Sequence, residues 1–307
     1  MQRKTPQTGQ TLPNDPHDNA PTICRATHND VAIPATLARL TIEPPWRLSF
    51  NRCNLPAEAL ASFAFQLAPQ SLELDGVAPL HRRLFEHAGA LDSPQARVER
   101  FLTYMNAHFL LDDPPAQGLS ENARIDRSRL DYLRLLRGWL FDADSREGAV
   151  LKAWVESRFG LLTRYHRALV GPPGSPSRTA FDHEVASGLY TTGALEAQID
   201  LLYTWTQHEL RYRYPGQTHL HLYRGVSGTH WIRGAPALAD GRQLLTLNNL
   251  SSFSASPERA DEFGDRVLSC AIPLPKILAF SGLLPGLLQG EDEYLVIGGV
   301  VAAERVA

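Results

Sequence analysis

Apolar positions recur at helical spacing through roughly the first two thirds of the chain and at strand spacing through the last third. Pro56 fits the first turn of a helix running to about Leu67, with Asn54 near its cap. Ser93-Pro94 reads as an N-cap followed by a first-turn proline. Behind it Val98, Phe101, Leu102, Met105 and Phe109 fall on one helical face. Leu130, Leu133, Leu136 and Leu140 repeat the pattern, and Ser145 opens another helix through Val150, Leu151 and Trp154. A further helix is expected from about Phe181 to Glu209, ending before Pro215-Gly216. Between these helices, residues 171–177 read Gly-Pro-Pro-Gly-Ser-Pro-Ser, the strongest break in the chain, either a linker or a long exposed loop.

After residue 218 the texture changes. Residues 219–226, 243–247, 266–272 and 294–301 read as strands rich in Val, Leu and Ile. One short helix is embedded among them: Ser256 caps, Pro257 takes the first position, residues 258–263 form the turns and Gly264 ends it. The expected class is α+β. Residues 1–22 form a disordered tail, because they hold too little apolar surface to offset the entropy of ordering. Residues 23–175 form a helical N-terminal region. Residues 176–307 are expected to form a β-rich region, which could join the helical region in one compact unit.

The 307 residues are 43% hydrophobic, enough for a sizeable core. A net charge of −3 gives no basic excess, so nucleic acid is not an expected partner. The cysteines, Cys24, Cys53 and Cys270, are odd in number and widely spaced, which fits neither a disulfide framework nor a thiolate metal site. No apolar run is long enough for a membrane span, and the N-terminus lacks a signal-peptide core. A cytoplasmic protein is expected.

Three short segments of the β-rich region carry candidate chemistry. Tyr223-Arg224-Gly225 sets an arginine on a strand beside a glycine; a guanidinium fork can hold a diphosphate, and the glycine admits close backbone approach to a ligand. Ser252-Phe253-Ser254 sets hydroxyls at a strand end, where they can orient polar ligand groups or a neighbouring carboxylate. Glu291-Asp292-Glu293 stands before an apolar strand. On an extended backbone Glu291 and Glu293 share one face about 7 Å apart, while Asp292 points away. Taken singly, each segment also has an ordinary structural explanation: an ion-paired strand arginine, a serine-rich loop, an acidic strand entry.

Their order is more specific. An aromatic-Arg pair, a Ser-x-Ser about 28 residues later and a Glu-x-Glu about 40 beyond that resemble the Arg–Ser–Glu class of mono-ADP-ribosyltransferases. Within that class, residues 54–56 and 71–77, Asn248-Asn249-Leu250-Ser251-Ser252-Phe253 and residues 260–265 resemble the NAD+–dinitrogen-reductase ADP-D-ribosyltransferase family of nitrogen-fixing bacteria. The resemblance implies a catalytic fold of two packed mixed sheets around an NAD cleft. It implies NAD as donor, no metal, an arginine of the nitrogenase iron protein as acceptor, and a PII-type nitrogen regulatory protein as activator.

The same resemblance assigns roles. Arg224 would clamp the diphosphate, with Tyr223, Gly225, Phe253 and Ser254 lining the NAD site. Ser252 would hydrogen-bond Glu293 and fix its rotamer. Glu293 would accept the ribose 2′-hydroxyl and stabilise an oxocarbenium-like sugar. Glu291 would orient the acceptor guanidinium and take its proton. Residues 280–290, with leucines at 283, 284, 287 and 288, would be the acceptor-recognising turn-turn loop if the leucines are exposed; an apolar loop folded into the core fits the residues equally well. The helical region would serve macromolecular recognition. His219 and His221 share a strand face but lack a third metal ligand, and the arginines between 127 and 137 read as a solvated helix face. Two other readings stand beside this one: a transferase with a different arginine-bearing target, and a catalytically weak module that binds NAD or a regulator.

Overall fold

The structure, a computed structural model, describes residues 33–111, 131–189, 194–227, 235, 237–288 and 292–306. Residues 1–22, Arg127, Leu130 and Glu291 lie outside this set.

The helical part runs through Ala35–Ala38 (α1), Ala57–Leu60 (α2), Phe63–Leu67 (α3), Val77–Leu80 (α4), Arg82–Gly89 (α5), Pro94–Phe109 (α6), Tyr132–Phe141 (α7) and Arg146–Phe159 (α8). A two-stranded hairpin follows, Arg164–Tyr165 (β1) with Ala168–Leu169 (β2), and then Pro176–Leu189 (α9) and Ala194–Arg213 (α10). The serine caps are where the sequence puts them: Ser93 accepts from the Ala96 N–H and Ser145 from the Gly148 N–H. Asn54 does not cap a helix. Its side chain accepts from the Glu73 N–H and donates to the Ser71 carbonyl, tying two loops together. The single helix expected over 56–67 is broken at Ser62, whose side chain caps α3 by accepting from the Phe65 N–H.

The β-rich part holds His219–Val226 (β3), Gln243–Ser254 (β4), the short helix Pro257–Asp261 (α11), Arg266–Pro273 (β5), Ile277–Phe280 (β6) and Glu293–Arg305 (β7). The strand order is β4-β3-β5-β7-β6, with β4 also paired to β7. All pairings among the described residues are antiparallel. The expected pair of mixed sheets is therefore not what the strands form. They make one antiparallel sheet that closes on itself through the β4–β7 ladder. The reason is local. Near Leu247 and Leu250 the β4–β7 register shifts, opposite two glycines of β7. A Cβ on Gly298 would stand 1.9 Å from the Asn248 carbonyl oxygen, and Gly299 has φ 127. The long strands bend at that point, so β7 pairs with β6 through its first residues and with β5 through its last.

One apolar cluster runs from Leu37 to Ala303, with α8 and α10 on one side and β4 and β7 on the other. Polar bonds stitch the two parts: the Val300 N–H donates to the Ala61 carbonyl at 2.8 Å, and Thr206 Oγ1 to the Leu278 carbonyl at 2.7 Å. The 171–177 break is a bonded loop, with the Gly171 N–H on Ser177 Oγ and Arg178 Nε on the Gly171 carbonyl. α9 beyond it packs on α8 through Phe181, Ala149 and Val170.

Candidate active site

β4 and β7 set the register of the candidate residues. Ser254 faces Glu293 and Ser252 faces Leu295, so Ser252, Ser254 and Glu293 share one face. Phe253 and Tyr294 point to the other face and are buried. On β3, Tyr223 pairs with Ser254, so the next residue, Arg224, turns toward the Phe253 side. Its guanidinium lies over the Phe253 ring at 5.8 Å and donates Nη1–H to the Ser252 carbonyl. Burial pulls the Arg224 pKa down from the ordinary arginine value, and Cys270 and the Glu293 carboxylate oppose that pull. Arg224, Ser252 and Glu293 are thus brought together, with the β4 backbone between the cation and the anion.

Glu293 is only 3% exposed. Its Oε1 accepts the indole N–H of Trp139 at 3.1 Å, and the same N–H lies 2.9 Å from Ser252 Oγ. Trp139 belongs to α7, in the helical part, and is itself 3% exposed. Lys152 of α8 lies over the Trp139 ring at 5.8 Å and is ion-paired to Asp144. Burial lowers the Lys152 pKa, the Asp144 pair raises it, and the field of Arg224 adds to the lowering. Asn248 and Asn249 bind α8 and the chain after it to β4: Asn249 Nδ2 donates to the Lys152 and Leu161 carbonyls, and Asn248 Oδ1 accepts from the Arg164 N–H.

Several expectations change here. The extended backbone assumed at the acidic triplet breaks at Asp292, which has φ 47 and sits in a turn; β7 begins only at Glu293. Asp tolerates this left-handed conformation better than most residues. Glu291, expected beside Glu293, lies outside the described residues. Gly225 makes its close approach to protein: a Cβ there would stand 2.0 Å from the Ala260 carbonyl oxygen, so the glycine lets α11 lie on β3. Tyr223 packs edge-on to His221 at 5.6 Å, away from the Arg224 face. Ser254 Oγ accepts from the Ser256 N–H and shapes the turn into α11, where Ser256 caps as expected.

Of the two readings of the 280–290 loop, the inward-folded one describes its leucines: those at 283, 284, 287 and 288 are all buried. Two successive turns, the first closed by the Leu283 N–H on the Phe280 carbonyl and the second by the Leu287 N–H on the Leu284 carbonyl, fold them inward. Gly282, Gly286 and Leu288 supply the left-handed residues this needs. Arg213, whose place the sequence leaves open, donates to the Gly282 carbonyl and lies over Phe280. Of the histidine pair, His219 bonds the Gln66 carbonyl and His221 bonds Ser269. Among the described residues no group of three His, Cys, Asp or Glu is arranged to hold a metal ion, and no helix is long and apolar enough to cross a membrane. Burial pushes the Cys270 thiol up to about 12, so it is not a reactive thiolate.

The family model described as dinitrogenase reductase ADP-ribosyltransferase (DRAT) matches residues 50–305. This chain belongs to that family. It is 37% identical over 258 residues to the NAD(+)--dinitrogen-reductase ADP-D-ribosyltransferase of Rhodospirillum rubrum, covering 82% of this chain and 92% of the relative. No solved structure matches. The match runs from before α2 to the end of β7, so it takes in the helices that deliver Trp139 and Lys152 as well as the strands that deliver Arg224, Ser252 and Glu293.

Proposed function

We propose that this protein transfers ADP-ribose from NAD to an arginine of dinitrogenase reductase, the nitrogenase iron protein, and thereby restrains nitrogen fixation. The observation that carries the reading is the buried Glu293 carboxylate, held on the same sheet as Arg224 with Ser252 between them, in a chain of the DRAT family.

The polar set fits a dinucleotide. A guanidinium has five N–H donors, and Arg224 gives one to the Ser252 carbonyl, leaving others to face a diphosphate. Glu293 accepts hydrogen bonds and suits a ribose 2′-hydroxyl. As the nicotinamide leaves, positive charge grows on the sugar, and a fixed carboxylate stabilises that charge more than it stabilises intact NAD. Burial strengthens the effect, because water does not screen the charge. Glu291 is assigned the acceptor side, orienting the target guanidinium and accepting its proton. Phe253 backs Arg224, and Ser254, Gly225 and Tyr223 shape the strands around it.

A mono-ADP-ribosyltransferase type of fold, with an NAD cleft on this closed sheet, is part of the proposal. So are the cytoplasmic setting, activation by a PII-type protein, and a recognition role for the surface of residues 23–175. The helical part has a second task as well, since α7 brings Trp139 to Glu293.

The test mixes the purified protein with labelled NAD and nucleotide-bound iron protein, with Glu293→Gln as control. Label on one arginine of the iron protein, absent with the variant, is the expected result. Free ADP-ribose without labelled protein would keep the NAD chemistry and discard the acceptor. Neither transfer nor cleavage, even with a PII-type protein added, would favour a binding module.

A further inference from the structure

We infer that Trp139 is a positioning residue for the reaction, holding the Glu293 carboxylate ionised and in one orientation through a neutral hydrogen bond. The inference rests on the reading of Glu293 given above and adds a residue from the helical part.

An indole N–H donates and cannot accept. With Trp139 Nε1 2.9 Å from Ser252 Oγ and 3.1 Å from Glu293 Oε1, both oxygens accept from it. That fixes the polarity of the trio. The Ser252 hydroxyl proton is turned away from the indole and is available to another acceptor, and Glu293 Oε1 is an acceptor, which favours the ionised form of the carboxyl group. The neutrality of the donor matters. A buried carboxylate needs donors, or it protonates to escape the low-dielectric surroundings. An arginine or lysine in this place would satisfy it and also cancel its charge, the property the reaction uses. The indole supports the anion without adding a charge of its own that would oppose its field.

The ring is held firmly enough for this task. α7 opens on Asp131, whose side chain accepts from the Leu133 N–H, and the Tyr132 N–H donates to Gln198 Oε1 on α10. Arg134 bonds both Glu147 and the Gly188 carbonyl. At Gly138, beside the tryptophan, a Cβ would stand 2.4 Å from Glu147 Cβ, so α7 and α8 are in backbone-close contact there. Lys152 lies over the ring at 5.8 Å. The helical part thus fixes one N–H donor against the candidate catalytic carboxylate.

The experiment compares full-length wild type with Trp139→Phe, Trp139→His and Glu293→Gln, following NAD cleavage across pH together with thermal unfolding. Phenylalanine keeps the bulk and removes the donor; histidine restores one. Losing one hydrogen bond to a charged group should lower kcat roughly 10-fold in Trp139→Phe, with KM for NAD within about 3-fold. The acid limb of its kcat profile should move to higher pH, because the carboxylate loses a group that favours its charged form. Trp139→His should recover part of both changes. Wild-type kcat and an unmoved acid limb in Trp139→Phe, with Glu293→Gln inactive, would overturn the inference alone. Faster turnover in Trp139→Phe would also overturn it, by showing that the ring obstructs the site. A fully active Glu293→Gln would instead remove the reading beneath it. If the tryptophan variants unfold, nitrogen-15 spectra of the five tryptophans decide. One indole N–H resonance should move in both Ser252→Ala and Glu293→Gln, and no such shared shift would contradict the bond.

Discussion

In the helical part, buried charges meet opposite charges. Arg97 forms a two-pronged pair with Glu209, Arg158 grips Asp200 through two nitrogens, and Arg178 lies on Glu156. In the β-rich part, the bonds described around three ionisable side chains run to neutral groups. Glu293 takes the Trp139 N–H, Arg224 donates to the Ser252 carbonyl, and Lys276 donates to the Gly298 carbonyl at 2.7 Å. The contrast separates two uses of the same side chains. A matched ion pair cancels its own field and serves as a strut. A charge held by dipoles keeps its field and can act on a ligand. The helical part is built of struts and lends the site one neutral donor.

Removing a strut should have the largest effect. Arg97→Met leaves Glu209 buried with its main partner gone, and a loss of about 3–5 kcal/mol of stability is expected. KM for NAD in the folded fraction should be unchanged. Denaturant melts together with initial-rate kinetics check this, and a raised KM with normal stability would place Arg97 in the site.

A smaller effect is expected at Arg224. Arg224→Lys keeps the positive charge and gives up the planar fork that reaches both the Ser252 carbonyl and a diphosphate. kcat/KM for NAD should fall roughly 10- to 100-fold, with the melting temperature lowered by only a few degrees. Unchanged kinetics with a large stability loss would make Arg224 a strut like Arg97.

The smallest effect concerns Lys276, fully buried, over the Phe65 ring and far down at about 7 because of that burial. The folded protein holds this proton more weakly than the unfolded chain, whose lysine titrates near 10.5. Between these values the unfolded state binds more protons, so this group adds stability as pH rises from about 7. Lys276→Met should flatten that slope and raise the melting temperature at neutral pH. His81 works at the acid end. Burial and the nearby His108 hold it down at about 4, so stability is lost as pH falls from about 6.5 toward 4. His81→Phe should lessen that loss in melts across this range.

Much of this architecture was legible in the residue pattern. The caps at Ser93, Ser145 and Ser256 and the strand at residues 219–226 follow from local chemistry and alternation, and they stand in the structure where that chemistry puts them. Of the candidate site, Arg224 reaches the Ser252 carbonyl, and Ser252 and Glu293 both accept from Trp139. The remainder depended on tertiary facts with no local signature. Trp139 reads as one more apolar residue of an amphipathic helix, and only packing 113 and 154 residues away turns its N–H toward Ser252 and Glu293. The left-handed Asp292 and the start of β7 at Glu293 were not legible, because a strand pattern shows where a strand runs but not the residue on which it starts. The short strand β6 and the buried leucines after it were hidden for a similar reason. An apolar run broken by glycines fits an exposed loop as well as an inward-folded one until its covering elements are known.

The central claim is that the Glu293 field acts on the sugar as nicotinamide departs. It is tested most directly by measuring NAD affinity and NAD cleavage side by side in wild type and Glu293→Gln. Binding within about 3-fold of wild type and cleavage lower by at least about 100-fold are expected, since the charge counts mainly in the transition state. Cleavage at the wild-type rate by Glu293→Gln, with binding intact, would contradict it.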